Sequence, residues 1–88
     1  MLERRIRISN QLGLHARAAA KLLRLAATFE SKVTISHGDA MADARSILDL
    51  MALGAGYGNN VEIVVEGTDE AEALQQILQL FHDRFGED

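Results

Sequence analysis

Val61-Glu62-Ile63-Val64-Val65-Glu66 is the stretch on which the fold turns. Val61, Ile63 and Val65 share one parity and Glu62 and Glu66 the other, the two-residue period of a strand buried on one face. Two earlier stretches show the same period. In residues 2–8, Leu2, Ile6 and Ile8 oppose Glu3, Arg5 and Arg7; in residues 32–37, Val33 and Ile35 point inward. Gly38-Asp39 predicts a two-residue hairpin turn into a short strand at 40–43. Residues 16–29 are rich in Ala, Leu, Lys and Arg, all strong helix formers. Ala19, Leu22, Leu23 and Ala26 recur there at helical spacing, so one stripe faces a core. This helix is a crossover, which makes the first two strands parallel. The hairpin sets the third strand antiparallel to the second. The 61–66 strand then fits antiparallel between the first and second.

Ser46 predicts the N-cap of a short apolar helix over 46–53, with Asp49 three residues on. Gly54, Gly56, Gly58, Asn59 and Asn60 form a loose loop. Asp69 with Glu72 reads as a capping box for a last helix, whose buried stripe would be Ala71, Leu74, Ile77, Leu78, Phe81 and Phe85. Glu87 and Asp88 read as a solvated tail. The order β-α-β-β-α-β-α predicts an α+β open-faced β-sandwich: a four-stranded antiparallel-type sheet with three helices on one face and solvent on the other.

Composition narrows the function classes. The 88 residues read as a single domain over 1–88, with 48% apolar and 25% charged residues, an ordinary globular balance. A chain of this size cannot hold a large two-lobed active site. No apolar run approaches the ~20 residues of a membrane span, and the opening residues 1–5 lack the apolar core of a secretory signal. Cysteine is absent, which removes disulfides, thiolate metal sites and cysteine nucleophiles, and suits a reducing compartment. His37 borders the hairpin and His82 the last helix; neither forms a ligand set with His15, so no metal site is expected. The net charge of -4 conceals an asymmetry. In residues 1–29, Arg4, Arg5, Arg7, Arg17, Lys21 and Arg24 stand against Glu3 alone; in the remainder, Lys32, Arg45 and Arg84 stand against the other twelve of the 13 acidic residues. A basic third on an acidic protein points to a local anion site or an acidic partner surface. Nucleic acid is disfavoured by the overall charge and the scarcity of aromatics.

Gly13-Leu14-His15-Ala16-Arg17 carries the chemistry. His15 falls where a glycine-containing loop meets a helix start. The first N–H groups of a helix lack internal partners and carry partial positive charge, so an anion is stabilised there. Arg17, in the first turn, has a donor fork suited to phosphate oxygens. The dipole and Arg17 both disfavour an imidazolium, which leaves a neutral ring nitrogen as nucleophile.

Asn10-Gln11-Leu12-Gly13-Leu14-His15-Ala16-Arg17 resembles the active-site signature of the HPr family, the histidine phosphocarrier proteins of the bacterial phosphotransferase system. Arg45-Ser46-Ile47-Leu48-Asp49-Leu50-Met51-Ala52-Leu53-Gly54 resembles its second signature. The similarity spans the whole chain in register and implies the β-α-β-β-α-β-α sandwich. It implies that His15 carries a phosphoryl group on Nδ1, with Ala16 and Arg17 binding it. Phosphoenolpyruvate would be the donor through enzyme I, and acidic-faced enzyme IIA proteins the acceptors. The protein would be a cytoplasmic, monomeric carrier without cofactor, not a stand-alone enzyme. Ile47, Leu48, Met51 and Leu53 include candidates for an apolar docking patch, some of them core and about two exposed. Ser46 would be the regulatory site of a serine kinase/phosphorylase, although its N-cap role explains it equally well. Most members have proline after the arginine where this chain has Ala18, which predicts altered rigidity near His15. Two alternatives stand beside the sugar-uptake carrier: the nitrogen-related paralogue NPr, and an interaction module acting through Ser46 without catalysis.

Overall fold

The computed structural model describes residues 1–87. Its elements are β1 (Leu2–Arg7), α1 (Ala16–Ala26), β2 (Lys32–His37), β3 (Ala40–Asp43), α2 (Ile47–Ala52), β4 (Asn60–Glu66) and α3 (Glu70–His82), followed by a single 3-10 turn over Arg84–Gly86. The sheet order is β1-β4-β2-β3 with every neighbouring pair antiparallel. The central place expected for the 61–66 stretch is therefore the one it takes. Ile63 lies opposite Arg4 of β1 and Ile35 of β2; Val65 lies opposite Leu2 and Val33. Val33, Ile35, Val61, Ile63 and Val65 are buried, while Lys32, Glu62 and Glu66 stay exposed on the other parity. Antiparallel sheets permit such one-sided burial. His37 pairs with Ala40, so Gly38-Asp39 forms the expected two-residue turn.

Ala18, Ala19, Leu22 and Ala26 of α1 pack with Leu50 of α2 and with Ala73, Leu74, Ile77 and Phe81 of α3 over the inner sheet face. Leu23 is only half-buried and Ala18 takes a larger share than its periodicity suggested. In α3 the inward stripe starts at Ala73; Ala71 is exposed. Phe85 reaches the core by a different route from the helical one expected. The helix stops at His82, and Arg84 and Phe85 adopt φ of 55° and 56°. That turn places the Phe85 ring edge-on to Phe81, centroids 4.8 Å apart. Two left-handed non-glycine residues cost about 1–3 kcal/mol each, which burial of a whole phenylalanine, about 1.5–3 kcal/mol, helps to offset.

The expected capping box at Asp69 does not form. Asp69 is the N-cap of α3, but its carboxylate leaves the helix and accepts from the N–H groups of Glu30 (2.9 Å) and Ser31 (3.0 Å) and from the Ser31 hydroxyl. Glu70 instead reaches back to the Gly67 N–H (3.1 Å). The competing donors come from a segment 38 residues away in sequence, which local spacing does not reveal.

Candidate functional site

Two loops build the site. Gly13, in the loop between β1 and α1, has φ of +65°, where a side chain is strained. A Cβ there would stand 2.6 Å from both the Ala55 carbonyl oxygen and Gly56 Cα, so the glycine also permits the approach of the 54–59 loop. The Leu14 N–H donates to the Ala55 carbonyl (3.0 Å), the Ile8 N–H to that of Asn59 (2.9 Å) and the Gly58 N–H to that of Ile8 (2.9 Å). These bonds aim the chain into α1.

His15 is the N-cap of that helix, with extended φ and ψ of -77° and 179°, and its side chain makes no capping bond. The ladder begins with the Ala19 N–H donating to the His15 carbonyl at 2.8 Å. The N–H groups of Ala16, Arg17 and Ala18 are left without an intrahelical acceptor. No acidic residue in the first turn neutralises their partial charge. Arg17 and Ala16 are exposed in that turn, while Ala18 is buried. Ala18 therefore keeps a backbone N–H donor on the core-facing side of the turn.

The ring of His15 is 25% exposed, open enough for a partner to reach. Its Nε2 lies 2.8 Å from Glu87 Oε1, and that oxygen also accepts from Asn10 Nδ2 at 2.8 Å. Asn10 is fully buried and its amide donates a second time, to the Gly13 carbonyl at 2.8 Å. The Asn10 amide is the chief cause that holds the Glu87 carboxyl below the ordinary carboxylate range; the hydrogen bond from His15 and the charge of Arg17 add to it, against partial burial. Glu87 is therefore no solvated tail. The Arg84–Gly86 turn folds it back onto the histidine, and Asp88 lies outside the described residues. No sequence signal announces this, because the contact spans 72 residues and depends on a reversal at non-glycine positions. A carboxylate thus joins the helix dipole and Arg17 around the ring. With Nε2 engaged, Nδ1 is the nitrogen free of hydrogen bonds among the described residues.

Ser46 caps α2 as expected, its Oγ accepting from the Asp49 N–H at 3.2 Å. α2 packs on α1. Leu48 is 77% and Met51 44% exposed, Ile47 is half-buried, and Leu53 is buried. Leu53 belongs to the core and leaves the docking candidates, since it closes the helix toward the inside. Leu12 (69% exposed) and Tyr57 (58%) flank the touching Gly13 and Gly56. Sequence reading singled out neither; an apolar residue beside a loop glycine was the available signal. The guanidinium of Arg7 sits over the Tyr57 ring, 5.6 Å from its centre. His37 donates from Nδ1 to the Leu53 carbonyl at 2.8 Å and ties the end of β2 to that of α2; His82 is exposed on α3.

A family profile described as "PTS HPr component phosphorylation site" matches residues 2–83. The chain belongs to the HPr family. The phosphocarrier protein HPr of Cupriavidus necator is 48% identical over 87 residues, covering 99% of this chain and 98% of that protein. The phosphocarrier protein NPr of Shewanella violacea is 43% identical over 86 residues, covering 98% and 94%. The crystal structure of HPr from Thermoanaerobacter tengcongensis superimposes with a TM-score of 0.95 at 39% identity, covering 100% of this chain and 99% of that one. The fold expected from periodicity is thus the HPr fold.

Proposed function

We propose that this HPr-family protein carries a phosphoryl group on His15 Nδ1 within the phosphoenolpyruvate-dependent phosphotransferase system. One observation carries the reading: His15 caps α1 with Nε2 hydrogen-bonded, Nδ1 free and three unpaired amides following it. The Nδ1 lone pair bonds to phosphorus as the bond to the donor's leaving group breaks, and the leaving group keeps the electron pair. The helix mouth, through Ala16 and Arg17, and the Arg17 guanidinium are suited to the phosphoryl oxygens. Enzyme I would supply the group and acidic-faced enzyme IIA proteins would take it. The basic first third of the chain and the exposed Leu48 and Met51, with Ile47, Leu12 and Tyr57, suit such docking. The carrier would work as a cytoplasmic monomer, since one face must serve successive partners. Phosphorylation of Ser46 would add charge at the start of α2 without removing the cap oxygen.

Transfer from radiolabelled phosphoenolpyruvate through enzyme I tests the assignment. One acid-labile phosphoryl group per chain is expected, lost in His15→Ala; equal labelling of the variant would remove His15 from the role. Arg17→Ala is expected to slow transfer with the fold intact. The nitrogen branch is the second reading, favoured by NPr relatives nearly as similar as the HPr ones. Faster charging by a nitrogen-type than by a sugar-type enzyme I would decide for it.

A further inference from the structure

Glu87 is the carboxylate that touches the His15 ring among the described residues, and the reaction as outlined leaves it unused. A carboxylate only accepts hydrogen bonds at neutral pH, so the proton of a neutral ring resides on Nε2 and the lone pair on Nδ1. The carboxylate is itself fixed. Its side chain is 13% exposed, and Oε1 is held by the amide of Asn10, which also grips the Gly13 carbonyl. One buried side chain thereby ties the loop entering α1 to the group that orients the ring.

The delivery of Glu87 is costly in conformation. Arg84, Phe85 and Gly86 adopt φ of 55°, 56° and 73° in succession. Burial of Phe85 against Phe81 holds this reversal, and so does the Lys21 ammonium from α1, which donates to the Phe85 carbonyl at 2.5 Å. Sparsely populated backbone of this kind persists only where the surroundings over-determine it. Here it ends on the nucleophile.

We propose that Glu87 is a positioning residue for His15: it keeps the proton on Nε2, leaves Nδ1 as nucleophile, and pairs with the imidazolium that forms when Nδ1 bonds to phosphorus. The proposal rests on His15 being the phosphoryl acceptor. In the step, the Nδ1 lone pair makes the N–P bond, the donor's leaving atom departs with its electron pair, and the Nε2 proton does not move. The ring passes from neutral to cationic, and the carboxylate already in contact stabilises the charge as it develops. On discharge the ring returns to neutrality with the same proton in place.

Glu87→Ala, Glu87→Gln and Glu87→Asp in the full chain test this by two readouts. The first needs no phosphoryl donor: the Nε2 proton resonance of nitrogen-15-labelled His15. Wild type and Glu87→Gln, whose amide oxygen still accepts, are expected to protect that proton from solvent exchange, and Glu87→Ala to lose it. The second is the rate of His15 phosphorylation at saturating phosphorylated enzyme I. Glu87→Gln and Glu87→Ala are expected to be slower by about tenfold, the difference between a charged and a neutral hydrogen bond, with KM unchanged and Glu87→Asp partly restored. A wild-type proton that exchanges as fast as that of Glu87→Ala, or a Glu87→Gln rate equal to wild type, would overturn the proposal. Labelling that survives His15→Ala would instead overturn the acceptor assignment beneath it.

Discussion

At Gly13 a single missing side chain serves two demands. The residue sits in the left-handed region, and the backbone of Ala55 and Gly56 occupies the space a Cβ would need. Neither obstacle is a flexible side-chain end, so the loops themselves must part to admit one. Gly13→Ala is expected to lose about 2–4 kcal/mol, combining positive-φ strain with a backbone shift. It should also slow phosphotransfer, because the displaced loop delivers His15. Urea denaturation and the transfer assay check the two effects; a variant as stable as wild type would show that the loops yield freely. His15 and Arg17 were legible at this scale, since a histidine and an arginine on a helix start have a local physical meaning. Glu87 was not, because its meaning comes from the side chains it meets and not from its neighbours in sequence.

At the scale of elements, α2 shows how a capping residue can be mistaken for a purely functional one. Ser46 satisfies the Asp49 N–H of a helix only six residues long, which has few hydrogen bonds of its own. Ser46→Ala is expected to cost about 1 kcal/mol, read as a lower melting temperature, while Ser46→Asp, which keeps an acceptor at the cap, should retain stability. Loss of stability in both variants would show that the hydroxyl does more than cap. α3 carries the opposite lesson. Its acidic N-cap and the glutamate three residues on fit a capping box, yet Asp69 bonds across to Glu30 and Ser31. A helix start packed beside another segment offers acceptors a choice that an isolated peptide does not.

At the scale of the molecule, that Asp69 clasp joins the entry to β2 with the start of α3. The Ser31 hydroxyl first, then the N–H groups of Glu30 and Ser31, hold its carboxyl below the ordinary carboxylate value. The sign follows from linkage. A group whose folded value is depressed contributes its stability above the unfolded value and loses it as pH falls through the folded one. Wild type should therefore lose stability on acidification partly through Asp69, and Asp69→Asn should be less stable near neutral pH but lose less on acidification. Urea midpoints near neutrality and at about pH 3 compare the two. An equal acid loss in both chains would place the clasp outside the acid transition.

The sequence by itself determined the element order, the antiparallel insertion of β4 between β1 and β2, and the placing of His15 and Arg17 at the mouth of α1. Each of these follows from periodicity, propensity and turn chemistry, which act over a few residues. The tertiary structure alone decided that Leu53 is core while Leu48 and Met51 face out, that Asp69 leaves its own helix, and that Glu87 closes on the histidine. Those outcomes are competitions between partners distant along the chain, and the winner is fixed only when packing brings them within a hydrogen bond of each other.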